Sequence, residues 1–139
     1  MERSEFEDLV AKAADNLPGE IAELMENVEV VVEDVVSKNK ARKMRLEDPI
    51  HLLGLYEGVP QTQRTRGYNM VLPDKITLYQ KSIEAACQYS GRTVQEEVEE
   101  VLKHEIGHHF GIDDERLYEI EEEKLKRQGK KPPSPGSRF

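Results

Sequence analysis

A chain of 139 residues can enclose one modest hydrophobic core but not two. Hydrophobic residues make up 37% and charged residues 35%, and no apolar run approaches the roughly 18 residues of a membrane span, so a soluble protein with no membrane partner is expected. The net charge of −8 argues against a nucleic-acid partner, whose phosphates the mean field would repel. The single cysteine, Cys87, excludes an internal disulfide, and the acidic start M-E-R-S-E-F-E-D lacks the plan of a secretory signal; both predict a cytoplasmic protein.

The predicted elements follow from the spacing of apolar residues. Ser4, with Glu7 three residues on, has the form of a capping box, and Phe6, Leu9, Val10, Ala13 and Leu17 recur behind it, predicting a first helix over about residues 4–17. Leu17-Pro18-Gly19 breaks it, and Ile21, Leu24 and Met25 predict a short second helix that ends before Asn27. Val28 to Val36 is rich in β-branched residues and is the strongest strand candidate. The basic stretch Lys38, Lys40, Arg42, Lys43 and Arg45 reads as a solvated loop, with anion or partner binding as the alternative; Arg64 and Arg66 make a second small cluster.

Ile50 to Tyr56 predicts a second strand, closed by Gly58, Val59 and Pro60, and His51 at its start reads as a surface or core histidine rather than a ligand. Residues 60–73 are polar and bounded by prolines, predicting a long exposed loop of the kind that is functional or mobile. From Lys75 to Gln80, Ile76 and Leu78 alternate with Lys75, Thr77 and Tyr79 as in a half-buried strand, and Ser82 to Tyr89 reads as a helix stopped at Ser90-Gly91.

Thr93 and Glu96 form a second capping box and open a helix whose end reads K-H-E-I-G-H-H-F-G-I-D-D-E, Lys103 to Glu115. Within it, His104 and His108 are four apart, on one helical face, and two neutral imidazoles so placed can bind one Zn²⁺ while Glu105 beside the first holds a water. With His104 at zero, His108 falls at about 40° and Glu105 at about 100°, while Val94, Val98, Val101, Leu102 and His109 span about 60–160° as the core stripe. His109 is therefore expected either to be buried or to support the ligands from behind, and not to be a ligand itself. Glu105 lies between metal and core, where burial raises a carboxyl pKa and suits it to proton transfer.

Gly111 can take the left-handed conformation that stops a helix and lets the chain turn back. Asp114, three residues on, completes H-E-x-x-H-x-x-G-x-x-D, with a carboxylate where the metzincin pattern has a third histidine. Three protein ligands leave a fourth position for water, the arrangement of a catalytic zinc site. Asp113 and Asp114 also both suit the N-cap of a last helix over about 114–128; the two roles are shared if Asp113 caps and Asp114 turns to the metal. Residues 128–139, rich in Pro and Ser, read as a disordered tail behind a domain of residues 1–127.

This extended motif, with L-L-G-L-Y-E-G-V-P at 52–60 and L-P-D-K-I-T-L-Y at 72–79, resembles a family of small bacterial zincin-like minimal zinc metallopeptidases, over about Leu17 to Leu117. The resemblance implies an α+β, minimal zincin-like fold: a small mixed β-sheet of three to four strands with helices packed against it, the active-site helix among them. It implies Zn²⁺ as cofactor, His104, His108 and Asp114 as its ligands, Glu105 as general base, and a peptide or protein substrate. No Met follows Asp114, so the methionine turn of metzincins is absent.

The activity expected is hydrolysis of peptide bonds by a zinc-activated water with Glu105 as the base. The substrate would lie extended along an exposed sheet edge, for which the Ile76 to Gln80 strand is the candidate. Tyr56, Tyr68 and Tyr79 are candidates to stabilise the oxyanion, with plain packing the other role open to each. Two readings of other classes stay open. A zinc-dependent endoribonuclease is favoured by the basic stretch 38–45 and disfavoured by the net charge and the aspartate; a non-catalytic, zinc-stabilised binding protein would have no need of Glu105.

Overall fold

Short segments carrying Val, Ile, Leu, Thr and Tyr build the sheet, and amphipathic segments pack around it. The computed structural model describes residues 1–58 and 72–129. In chain order it contains α1 (Arg3–Asp15), α2 (Gly19–Leu24), β1 (Val28–Glu33), α3 (Lys38–Lys43), a 3₁₀ turn (Pro49–His51), β2 (Gly54–Glu57), β3 (Asp74–Tyr79), α4 (Gln80–Ser90), α5 (Val94–His109) and α6 (Asp114–Arg127). This is a mixed α+β architecture with six helices among the described residues. The loop read over 60–73, with Arg64, Arg66 and Tyr68, lies almost wholly outside them, as does nearly all of the tail from 128.

The sheet has the order β1-β3-β2. β1 runs parallel to β3, in register from Val28 opposite Asp74 to Glu33 opposite Tyr79, and β2 runs antiparallel to it, from Gly54 opposite Leu78 to Glu57 opposite Lys75. β3 is thus the central strand, which corrects its reading as a substrate-binding edge. Its alternation looked half-buried, but both faces are covered. Ile76 and Leu78 enter the main core with Phe6, Ile21, Ile83 and the apolar stripe of α5, while Tyr79 packs with Val36 and with Ala41 of α3 on the opposite face.

Three further expectations are corrected. The basic stretch is not a loop: α3 forms there, with the Ser37 side chain accepting from the Lys40 N–H as its N-cap and Ala41 buried. The segment from Ile50 is not strand throughout, because Asp48 caps a 3₁₀ turn that holds His51 before β2 begins at Gly54. Nor does Ser4 cap α1. The helix begins one residue earlier, with Glu2 at the N-cap and no side-chain cap. Arg3 is drawn into the fold, donating to Gln80 Oε1 at 2.9 Å and the Val32 carbonyl at 3.0 Å and pairing with Asp34.

α5 is the spine of the packing. Val98, Val101, Leu102 and Ile106 are buried along it, and α1, α2, α4, α6 and β2 all lie against it. β2 comes close because it opens on a glycine: a Cβ at Gly54 would stand 2.6 Å from Val101 Cγ1. Among the described residues no helix is long and apolar enough to cross a membrane.

Gly54→Ala should therefore destabilise the protein by about 1–3 kcal/mol, the usual penalty for overpacking a core. In a Val101→Ala background the same substitution should be much milder, because the methyl it meets is gone. Denaturant unfolding of the four chains of this cycle measures the coupling, and equal penalties in both backgrounds would refute the contact as the cause.

Candidate metal centre

The site is assembled where α5 ends. Thr93 starts the helix with the full reciprocal capping box, its hydroxyl accepting from the Glu96 N–H while Glu96 accepts from the Thr93 N–H, so the phase of every residue downstream is fixed from that cap. His104 and His108 emerge one turn apart, their ring centroids 5.2 Å from each other. Gly111, at φ 76°, provides the left-handed residue after the helix, and the chain reverses.

Asp113 and Asp114 then divide two tasks. The Asp113 side chain accepts from the Arg116 N–H at 2.9 Å and is the N-cap of α6, while Asp114, the first residue of that helix, carries Oδ1 to 3.1 Å from His108 Nε2 and 3.6 Å from His104 Nδ1. One ligand atom from each of His104, His108 and Asp114 lies within 4.8 Å of the others. Donors about 2.0–2.1 Å from a tetrahedral zinc stand about 3.3 Å apart, so the separations of Asp114 from the two histidines bracket what the ion requires.

Burial pushes the His104 imidazole below its ordinary pKa, against the pull of Asp114, and so favours the neutral form in which histidine binds metals. Glu105 faces between these donors and the core. Burial pushes its carboxyl above the usual range, opposed by the charge of His108 and by a hydrogen bond from the backbone of Tyr56.

That hydrogen bond ties the site to the sheet. The Tyr79 N–H bonds the Leu53 carbonyl, so alternation points the backbones of Leu53, Leu55 and Glu57 at β3 and those of Gly54 and Tyr56 outward, toward the end of α5. Tyr56 is itself fixed. Its hydroxyl donates to Asp74 Oδ2 at 2.7 Å, and its ring stacks on His109 with centroids 3.8 Å apart. Of the two placements expected for His109, burial is excluded: it is the last residue of α5, where the core has run out, and it stands exposed beside Tyr56 with Nε2 3.9 Å from Asp74 Oδ2. Of the other tyrosine candidates, Tyr79 is buried on the far face of the sheet, and Tyr68 lies outside the described residues.

Sequence reasoning missed Lys103. It is buried beside His104 on α5 and pairs with Glu100 at 2.8 Å and with Glu121 of α6 at 3.0 Å. Burial works against its charge, but the two carboxylates prevail and its pKa is raised. The i, i+3 spacing of Glu100 and Lys103 was a visible signal; the partner on α6 was not. Together the three clamp α6 against α5 and so hold Asp114 in place.

The chain belongs to the zincin-like metallopeptidase family, whose profile matches residues 25–124. No curated protein matches it. The family implies a metal, usually zinc, and the donor set of two imidazoles and one carboxylate at these separations fits such an ion.

The division of labour between the aspartates can be tested directly. Asp113→Ala is expected to cost about 0.5–2 kcal/mol of stability while zinc uptake is retained, because a cap is lost and no donor is. Asp114→Ala is expected to weaken zinc binding by orders of magnitude with little change in the unfolding of the metal-free chain. Zinc titration and thermal unfolding of both variants check this, and the reverse pattern would mean the donor is Asp113.

Proposed function

We propose that this protein is a zinc-dependent metallopeptidase that hydrolyses peptide bonds, with His104, His108 and Asp114 holding the ion and Glu105 as general base. One observation carries the reading: three donors from two helices converge on one point, and a carboxylate that is not among them stands beside it, oriented by the neighbouring strand. Bound there, zinc supplies a Lewis acid that brings the pKa of water from about 15.7 toward 7 and polarises a carbonyl. Glu105 takes the proton of the attacking water and returns it to the leaving amine. The helix fixes Glu105 next to His104, and the Tyr56 backbone restrains its carboxylate, so proton transfer needs no search.

The substrate strand belongs beside β2. Its outward-facing backbone at Gly54 and Tyr56 lies on the α5 side of the sheet; with the Tyr56 N–H given to Glu105, an extended peptide can add there by main-chain hydrogen bonds to the Gly54 N–H and C=O and the Tyr56 C=O. This replaces the Ile76 to Gln80 strand, which has no free edge. Hydrolysis of RNA loses ground for a structural reason. The basic residues of α3 that favoured it sit across the sheet from α5, since Ala41 packs with Tyr79 and Leu55 and not with the main core.

Glu105→Gln is expected to keep one equivalent of zinc and the native unfolding transition while lowering hydrolysis by about 10²–10⁴-fold, because an amide cannot accept the proton. Wild type and variant are to be assayed together on a broad peptide library and a single-stranded RNA pool. Glu105-dependent cleavage of RNA alone would overturn the peptidase reading, and zinc binding without turnover of either would leave a zinc-stabilised binding protein.

A further inference from the structure

β1 is an edge strand, and its outer edge faces away from the metal centre. The Asn27 carbonyl accepts from the Asp74 N–H, so the two-residue alternation directs the backbones of Glu29 and Val31 to β3 and those of Val28, Val30 and Val32 outward. Among the described residues no strand pairs with that outer edge. One end is already closed: Arg3 Nη1 donates to the Val32 carbonyl at 3.0 Å, and the same guanidinium is anchored by Gln80 and Asp34. The Val30 N–H and C=O and the Val32 N–H lie inside that stop. A row of β-branched residues with outward backbone groups is a template for one more strand.

The ground beside the edge is also shaped for a strand. A groove of about 510 Å³ runs between β1 and α1, lined by Val10, Ala11 and Ala14 with Glu7 on the helix and by Val30 to Val32 on the strand. Ala11 and Ala14 are the small residues of α1 that leave this space. On the other face of β1, Glu29 and Glu33 are exposed. An added strand would lay alternate side chains in the apolar groove and the others beside these glutamates.

We infer that the outer edge of β1 is a docking site for an extended segment of a partner protein in which apolar and basic residues alternate. Main-chain hydrogen bonds to Val30 and Val32 would hold it, apolar side chains would fill the groove on α1, and basic side chains would meet Glu29 and Glu33. The acidic flanks select against a second copy of this chain, which would bring the same glutamates to the seam. This surface is separate from the edge of β2, and the inference does not depend on the proposed activity.

The test uses the full chain and two labelled probes, a short peptide alternating lysine with valine and its glutamate and valine counterpart, followed by fluorescence anisotropy and amide hydrogen exchange. Mass spectrometry of the probe, with the Glu105→Gln chain in parallel, keeps cleavage apart from docking. The lysine probe should bind, more weakly at high salt, and should protect the Val30 and Val32 amides; the glutamate probe should not. Val30→Pro should weaken binding by about tenfold or more, since it deletes an outward N–H that no strand among the described residues uses. Glu29→Lys with Glu33→Lys, which leaves the backbone intact, should exchange the preference of the two probes. Equal binding of both probes, or protection of amides elsewhere, would overturn the inference. So would unchanged affinity in a folded Val30→Pro chain, or a probe-free dimer by ultracentrifugation that Val30→Pro dissolves.

Discussion

Everything in this structure depends on α5 being placed in one rotational setting. Its apolar stripe must meet α1, α2 and the sheet, and the face that carries His104 and His108 must then fall at the rim, where α6 returns. Rotating the helix by one residue, about 100°, would bury His104 and expose Val98 or Leu102. The hydrophobic effect thus sets the direction of the histidines, and the Thr93 capping box sets where along the axis they stand. A domain of this size has little else with which to hold a site. On the proposed reading the same helix is core, scaffold and donor.

The second constraint is that the site draws on three elements whose positions are independently anchored. β2 reaches α5 because Gly54 has no side chain, and Tyr56 is pinned by Asp74 and His109, so the strand backbone meets Glu105 in a fixed place. α6 is turned back by Gly111 and clamped through Lys103 between Glu100 and Glu121. A buried cation with two carboxylates contributes less to net stability than its distances suggest, because desolvation offsets much of the attraction. Its value lies in selecting one docking of the two helices, since without Lys103 two half-buried carboxylates would face each other with no cation between them.

What was legible in the sequence was whatever a local period encodes. The one-turn spacing of His104 and His108 and the apolar stripe of α5 are consequences of 3.6 residues per turn. The cap at Asp113 follows from the fixed offset between an N-cap and the N–H three residues on, which leaves Asp114 as the first residue of α6. What was not legible depended on partners distant in the chain. β3 read as half-buried because Thr77 and Tyr79 resemble a solvent face, and only the packing of Ala41 and Val36 over Tyr79 makes that face interior. α3 hid behind its charge: a single buried alanine is no apolar period, although Ser37 before Lys40 was a usable cap signal. Ser4 failed as a cap because Arg3, tied to Gln80 and Val32, extends the helix past it. His109 shared the angle of the core stripe but not its depth, as the core ends before the helix does.

The placement of Asp114 on α6 and the two histidines on α5 has one more consequence. In the proposed ligand set the ion would bridge the two arms of a helical hairpin whose turn is only four residues long, Phe110 to Asp113. Free energy of binding is then free energy of hairpin closure, shared with the Lys103 clamp. Metal supply would then act on the lifetime of the chain as well as its chemistry: without the ion the last helix would lose one of its ties to α5 and lie more open to proteases.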